Sequence, residues 1–175
     1  MRASSPWLAY TLALILSLLI GGHFISVHAQ PTFKDARLKT ELVVAEGLSS
    51  PTSMAFVDNN IILVLEKNSG EVRLVSNGIL QEEPVLKLEV DTTTLTCCRG
   101  LLGIANIENE VFLYLTEPAK DDQPVRNRLY KYQWNEQNHT LVNPTLILDL
   151  PATPGPNHPG GKIAIGQDHY LYTVL

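Results

Sequence analysis

The chain has 175 residues, 45% hydrophobic and 18% charged, with 11 glycines, 11 prolines and 2 cysteines. That length suits one domain, and the apolar fraction excludes a disordered or fibrous chain. Two cysteines exclude a disulfide scaffold, and 13 basic against 18 acidic residues argue against a nucleic-acid partner.

Residues 1–29 carry a single charge, Arg2, ahead of the apolar run WLAYTLALILSLLI at 7–20. Val27-His28-Ala29 then has the small-x-small shape of a signal-peptidase site before Gln30. A cleaved secretory signal is one reading. Counting residues 21–27 brings the uncharged stretch close to the ~20 residues that span a bilayer, so a membrane anchor through 7–27 is the other. Either way residues 30–175 are expected to be exported, secreted or held on the outer side of the membrane. Without Arg2, 12 basic and 18 acidic residues leave a net charge of −6. Asn138-His139-Thr140 is an acceptor triplet for N-glycosylation, which suits a surface loop of an exported glycoprotein.

The exported part repeats itself. Three segments align without gaps: SMAFVDNNIILVL at 53–65, GIANIENEVFLYL at 103–115 and KIAIGQDHYLYTV at 162–174. In each, a triplet ending in alanine (Ala55, Ala105, Ala164) stands six residues before a second apolar run, at Ile61, Val111 and Tyr170. The polar link between them predicts a hairpin. Two more strands follow in each complete copy. The first has alternating EVRLV at 71–75, a turn at Asn77-Gly78, and Leu86, Leu88 and Val90 on one face. The second has Tyr130, Tyr132 and Trp134 on one face, then a polar loop and a strand at 145–150. The runs at 61–65 and 111–115 are apolar on both faces, as strands sandwiched between sheets must be.

Four antiparallel strands repeated every 50 to 59 residues is the pattern of a β-propeller blade. A β-sandwich also strings short strands between turns, but the six-residue offset in all three copies favours the propeller. The expected fold is therefore all-β, about two and a half four-stranded blades. A propeller needs four to eight, so the chain is expected to be the N-terminal piece of a longer protein. Leu42-Val43-Val44 is a candidate outer strand for closing the ring. An unpaired apolar edge at 170–175 is expected to make the isolated chain poorly soluble.

Blade topology sorts the loops. With strands lettered A to D from the centre outward, the D-to-A and B-to-C connections emerge on one face and the remaining turns on the other. Two long D-to-A connections, 91–100 (DTTTLTCCRG) and 151–161 (PATPGPNHPGG), share that face in neighbouring blades. Cys97, Cys98, Arg99, Asn157 and His158 are thus expected near the central opening, with Asn138 on the far side. His158 is flanked by Pro156, Pro159 and Gly160-Gly161, and a histidine of ordinary pKa about 6.5 is a competent general base at neutral pH. A solvated turn histidine is the plainer reading. His23 and His28 belong to the export segment, His139 to the acceptor triplet and His169 to a hairpin. Adjacent cysteines seldom bond each other because the ring is strained. Cys97 and Cys98 are open to pairing elsewhere or to a soft metal, and a structural role is expected. Arg99 reaches either an anionic ligand or a carboxylate.

The residues RGLLGIA at 99–105, VFLYLTE at 111–117, NRLY at 127–130, NHPGGK at 157–162, Gly166 and YLYTV at 170–174 occur in that order. This set resembles the soluble quinoprotein glucose/sorbosone dehydrogenases, exported six-bladed propellers that oxidise aldoses. The resemblance runs from about Leu42 to Leu175. It implies that His158 takes the proton from the C1 hydroxyl of the sugar while hydride passes to pyrroloquinoline quinone (PQQ) beside calcium, electrons leaving to an external acceptor. It places substrate contacts at Asn157 and Cys98; Arg99, beside Cys98 in the same loop, is a further candidate substrate contact from its position alone. Asn157 and Cys98 stand where some sugar-oxidising members carry an acidic residue and a glutamine or glutamate, and Pro159 replaces a small polar residue. The family's quinone-gripping Lys and Arg residues and calcium-binding carbonyls follow the last residue of this chain, so no metal ligand is expected within it and the chain alone is expected to be inactive. A non-catalytic exported propeller that binds a glycan or protein partner is the alternative.

Overall fold

The computed structural model describes residues 33–92, 98–152 and 160–174. The chain divides into two compact units, Met1–Glu41 and Leu42–Leu175. The described part of the first, 33–41, has no strand or helix and holds an exposed Arg37–Asp35 ion pair at 2.7 Å. The export segment 1–29 lies outside the described residues. Among the described residues no helix is long and apolar enough to cross a membrane.

The second unit is built of antiparallel strands. The first copy contributes β1 (Pro51–Asp58), β2 (Ile61–Glu66), β3 (Glu71–Ser76), β4 (Ile79–Leu80) and β5 (Leu86–Lys87). They form one sheet in the order β1-β2-β3-β4, with β5 also paired to β3. The second copy contributes β6 (Leu101–Ile107), β7 (Glu110–Glu117), β8 (Arg126–Asn135) and β9 (Thr140–Pro151), a four-stranded sheet in sequence order. The third contributes the pair β10 (Ile163–Ile165) and β11 (Leu171–Thr173). The all-β, antiparallel pattern is the expected one, although the first sheet has five strands where four were expected, because its outer part is split into the two short strands β4 and β5.

Local chemistry sets the turns. Asp58 stands opposite Ile61, so Asn59-Asn60 alone turn β1 into β2. Asn77 (φ 50°) and Gly78 (φ 78°) both take the left-handed backbone, the two-residue turn whose twist matches the flanking strands β3 and β4. The polar loop expected after Trp134 is shorter than the composition suggests. β9 begins at Thr140, five residues before the expected 145, because Asn143 (φ 54°) and Pro144 form a bulge that the outer strand absorbs. Leu42, Val43 and Val44 form no strand, and Leu42 and Val43 are exposed.

Packing between sheets makes the core. β7 alternates strictly: Val111, Leu113 and Leu115 face the first sheet, packing with Leu63, Leu65, Val72 and Leu74. Phe112 and Tyr114 face the third, with Ala105, Leu129 and Ile163. The strand apolar on both sides is thus buried on both sides, as its composition requires. Tyr132 and Trp134 on β8 join the first of these clusters, and Tyr130, Leu86, Leu88 and Val90 pack against it. Outer faces stay bare: Met54 and Phe56 on β1 are 60% and 57% exposed, and Tyr170, Tyr172 and Val174 are 70%, 54% and 62% exposed.

The sheets close up through glycine. A Cβ on Gly103 would lie 1.9 Å from the carbonyl oxygen of Gly161, and one on Gly161 (φ 102°) 2.6 Å from the Cβ of Leu102. Gly103→Ala is therefore expected to destabilise the chain by about 2 kcal/mol through forced separation of β6 from the start of the third sheet. Gly78→Ala, with open space around it, carries only the backbone strain of about 1 kcal/mol. Denaturant unfolding of the two variants distinguishes these costs.

Candidate active site

The described edges of both D-to-A connections come together at one end of β7, on the face the topology assigns them. Thr116, fully buried, clips the first connection at both ends. Its carbonyl accepts the N–H of Asp91 at 2.8 Å, and its own N–H donates to the carbonyl of Gly100 at 2.9 Å. Its hydroxyl donates to Oδ1 of Asn127 at 2.8 Å, a pair buried between β7 and β8. The described ends of the loop are therefore held by a single scaffold residue.

A second tie crosses the loop. Nη1 of Arg99 stands 2.6 Å from Oδ2 of Asp91, with side chains only 12% and 1% exposed. Removing one partner of a pair this buried costs about 3–5 kcal/mol, because the other charge is left without compensation. Arg99 was open to an anionic ligand or a carboxylate; the structure gives it a carboxylate, and a buried one. Its Nη2 also donates to the carbonyl of Ala152 at 3.3 Å, the residue that follows β9 and opens the second connection. One guanidinium thus links the two loops.

The second connection is fixed at its far end as well. Gly161 is buried, its N–H donates to the carbonyl of Val174 at 3.0 Å, and its backbone lies against Leu102 and Gly103. A Gly-Gly doublet such as Gly160-Gly161 can let a ligand approach the backbone closely. Gly161 is used for close approach of protein backbone, while Gly160 (φ 72°) stays exposed. Tyr114 packs beside Gly161, and burial pushes its phenol above the ordinary tyrosine range, so it is un-ionised at neutral pH.

His158, Asn157 and Cys97 lie outside the described residues. Cys98 is half-buried and disulfide-bonded, so its sulfur has no thiol proton to donate and is a weak acceptor at most. The remaining described histidines have structural places. His139 stacks on Trp134 with ring centroids 5.8 Å apart and planes 7° from parallel, and His169 (φ 65°) sits in the β10–β11 turn. Among the described residues no group of three or more His, Cys, Asp or Glu could hold a metal ion.

Beside the B-to-C connection of the second blade a cleft of about 390 Å³ opens, lined by Lys87, Glu117, Lys120, Asp121, Arg126 and Arg128 among others. Its two arginines are paired: Arg128 with Glu117 and Asp149, and Arg126 with Asp149, while the hydroxyl of Tyr130 donates to Glu117. The Arg126 and Arg128 guanidiniums hold the Asp149 carboxyl below the usual carboxylate range. The residue that sequence reasoning missed is Asp91. It reads as the first polar residue of a loop, and its only signal is a lone carboxylate in the same connection as Arg99.

Comparison with known proteins agrees with this architecture. Residues 48–175 match the family model described as glucose/sorbosone dehydrogenase. No curated protein matches the chain. Among solved structures, a glucose dehydrogenase aligns at 24% identity and a TM-score of 0.62, over 74% of this chain and 41% of that one. Another structure of a glucose dehydrogenase aligns at 24% identity and a TM-score of 0.60, over 74% and 38%. The PQQ-bound form of an aldose sugar dehydrogenase from Streptomyces coelicolor aligns at 25% identity and a TM-score of 0.56, over 77% and 40%. The chain thus spans about two fifths of the length of these structures. With a family-model match covering most of its length, the chain belongs to the glucose/sorbosone dehydrogenase family.

Proposed function

We propose that the protein carrying this segment oxidises the C1 hydroxyl of a sugar, with His158 as general base and PQQ as hydride acceptor. The observation that supports this reading most is the pair of D-to-A connections gathered on one face by Thr116 and Arg99, in a chain of sugar-dehydrogenase family. Loops locked to a rigid scaffold are where such folds carry chemistry. His158 would accept the hydroxyl proton on its neutral imidazole as the C–H bond gives up hydride. Asn157, with an amide that both donates and accepts, and Cys98 would border the sugar hydroxyls.

The described residues do not themselves fit a quinone or a divalent cation. The one basic side chain at the two connections, Arg99, is held by Asp91 and Ala152, and no cluster of metal-binding side chains stands among them. No step is therefore assigned here to a cofactor contact, and holding PQQ and calcium falls, in this proposal, to other parts of the protein. We further propose that residues 1–29 direct export, by a cleaved signal or an anchor through 7–27, and that the electron acceptor is external. Asn138 suits glycosylation: it is exposed in the β8–β9 turn, on the side away from the two connections, its backbone N–H held by Oδ1 of Asn135 at 3.2 Å.

In the full-length protein supplied with PQQ and calcium, His158→Ala is expected to lower kcat by about two to four orders of magnitude. Steady-state sugar oxidation with an artificial electron acceptor measures it, and undiminished turnover would overturn the assignment. The 175-residue chain alone is expected to show no PQQ-dependent dye reduction. After expression through a glycosylating secretory route, an endoglycosidase-sensitive mass increment is expected and is lost in Asn138→Gln. An identical mass for both proteins by intact mass spectrometry would remove Asn138 as a modified residue.

A further inference from the structure

We propose that the cleft between the outer turns of the first and second sheets is the seat of the first sugar of a glycan on Asn138. The inference rests on the reading of Asn138 as glycosylated and adds what the glycan touches.

The cleft has a volume of about 440 Å³. That lies within the ~300–1,000 Å³ of sites that hold small molecules. One wall is the segment 81–85, which leads from β4 to β5, and the other is 138–140, the turn from β8 into β9. The acceptor asparagine is therefore itself part of the wall, and a sugar joined to it starts at the mouth of the cleft. Both turns lie on the side away from the two long connections, so the seat is separate from the candidate active site.

Both walls are fixed before any sugar arrives. The N–H groups of Gln81 and Val85 donate to the carbonyls of Leu74 and Val72 at 2.8 and 2.9 Å. Nη2 of Arg73 donates to the carbonyls of Gln81 and Glu82 at 2.9 and 3.2 Å. Opposite, Oδ1 of Asn135 accepts the N–H groups of Gln137 and Asn138 at 3.0 and 3.2 Å, and stacking on Trp134 holds the ring of His139. Filling a cleft with preformed walls costs little ordering of the protein.

The lining has two kinds of chemistry, and an N-acetylhexosamine presents both. Pro84 and Val85 are half-buried and apolar, a surface for the C–H face of a pyranose ring. Glu82 and Glu83 are exposed in the same wall, and their carboxylates are acceptors for sugar hydroxyls and for the acetamido N–H. Neither face alone is extensive enough to capture a free sugar tightly. A covalent tether removes that demand, because it holds the sugar at an effective concentration on the order of millimolar. Seated there, the sugar bridges the outer turns of the first and second sheets.

The test uses the full-length protein secreted through a glycosylating route, with occupancy of Asn138 read by intact mass and contact with the opposite wall read by hydrogen exchange. Peptides covering 81–85 are expected to take up deuterium about two- to fivefold more slowly in the glycosylated protein than in Asn138→Gln. Trimming with an endoglycosidase that leaves one sugar is expected to keep that slowing. Pro84→Asp, which sets a charge beneath the apolar face of the ring, is expected to abolish the difference between its own glycosylated and enzymatically deglycosylated forms. Comparing the two forms of one variant cancels any effect of the substitution on the fold. A mass increment with no slowing at 81–85, slowing confined to 136–140 or spread through all the sheets, loss of the slowing on trimming to one sugar, or a difference that survives Pro84→Asp would each overturn the seat and leave the modification standing. Absence of the mass increment overturns both.

Discussion

The two-sided burial of β7 is the constraint on which the molecule depends. Its residues alternate between two separate apolar clusters, Leu113 and Leu115 against the first sheet and Phe112 and Tyr114 against the third. Each buried leucine in such a strand is worth about 2–5 kcal/mol by truncation to alanine, and neither cluster exists without a neighbouring sheet. A blade is therefore stable only between other blades. The faces that lack a neighbour in this chain, Met54 and Phe56 on one side and Tyr172 on the other, are the ones left exposed.

The same strand organises the candidate site. β7 ends at Thr116 and Glu117, and Thr116 is where the first connection departs and returns. From that point a short chain of contacts, Thr116 to Asp91 to Arg99 to Ala152, runs from the most buried strand to the loop that carries Asn157 and His158. The described edges of the two connections thus take their place from the core. This is the usual arrangement for chemistry on loops: rigid elements supply position, and the loops supply the reacting groups.

The strand pattern, the hairpins and the shared faces of the apolar residues are legible because period-two alternation and turn residues act locally. Asn77-Gly78 names its own turn, and Leu86, Leu88 and Val90 lie on the face their spacing predicts. The misreadings fall where one local signal hides another. Asn143-Pro144 looks like loop composition but is a bulge inside β9, because an outer strand can do without the missing N–H. Gly161 looks like a ligand-facing glycine but is needed for contact with Leu102 and Gly103, residues some sixty positions earlier.

What the sequence determined by itself is the repeat: the hairpins, the strand order, the two-faced central strands and the two long connections on one side. These follow from periodicity, which is a property of neighbours in the chain. What only the tertiary structure decided is which polar groups meet. The partnership of Arg99 with Asp91 and Ala152, and the double use of Thr116, join residues whose spacing carries no signal. Burial makes those partners obligatory, since a charge or an amide removed from water must find its counterpart wherever the fold has brought one.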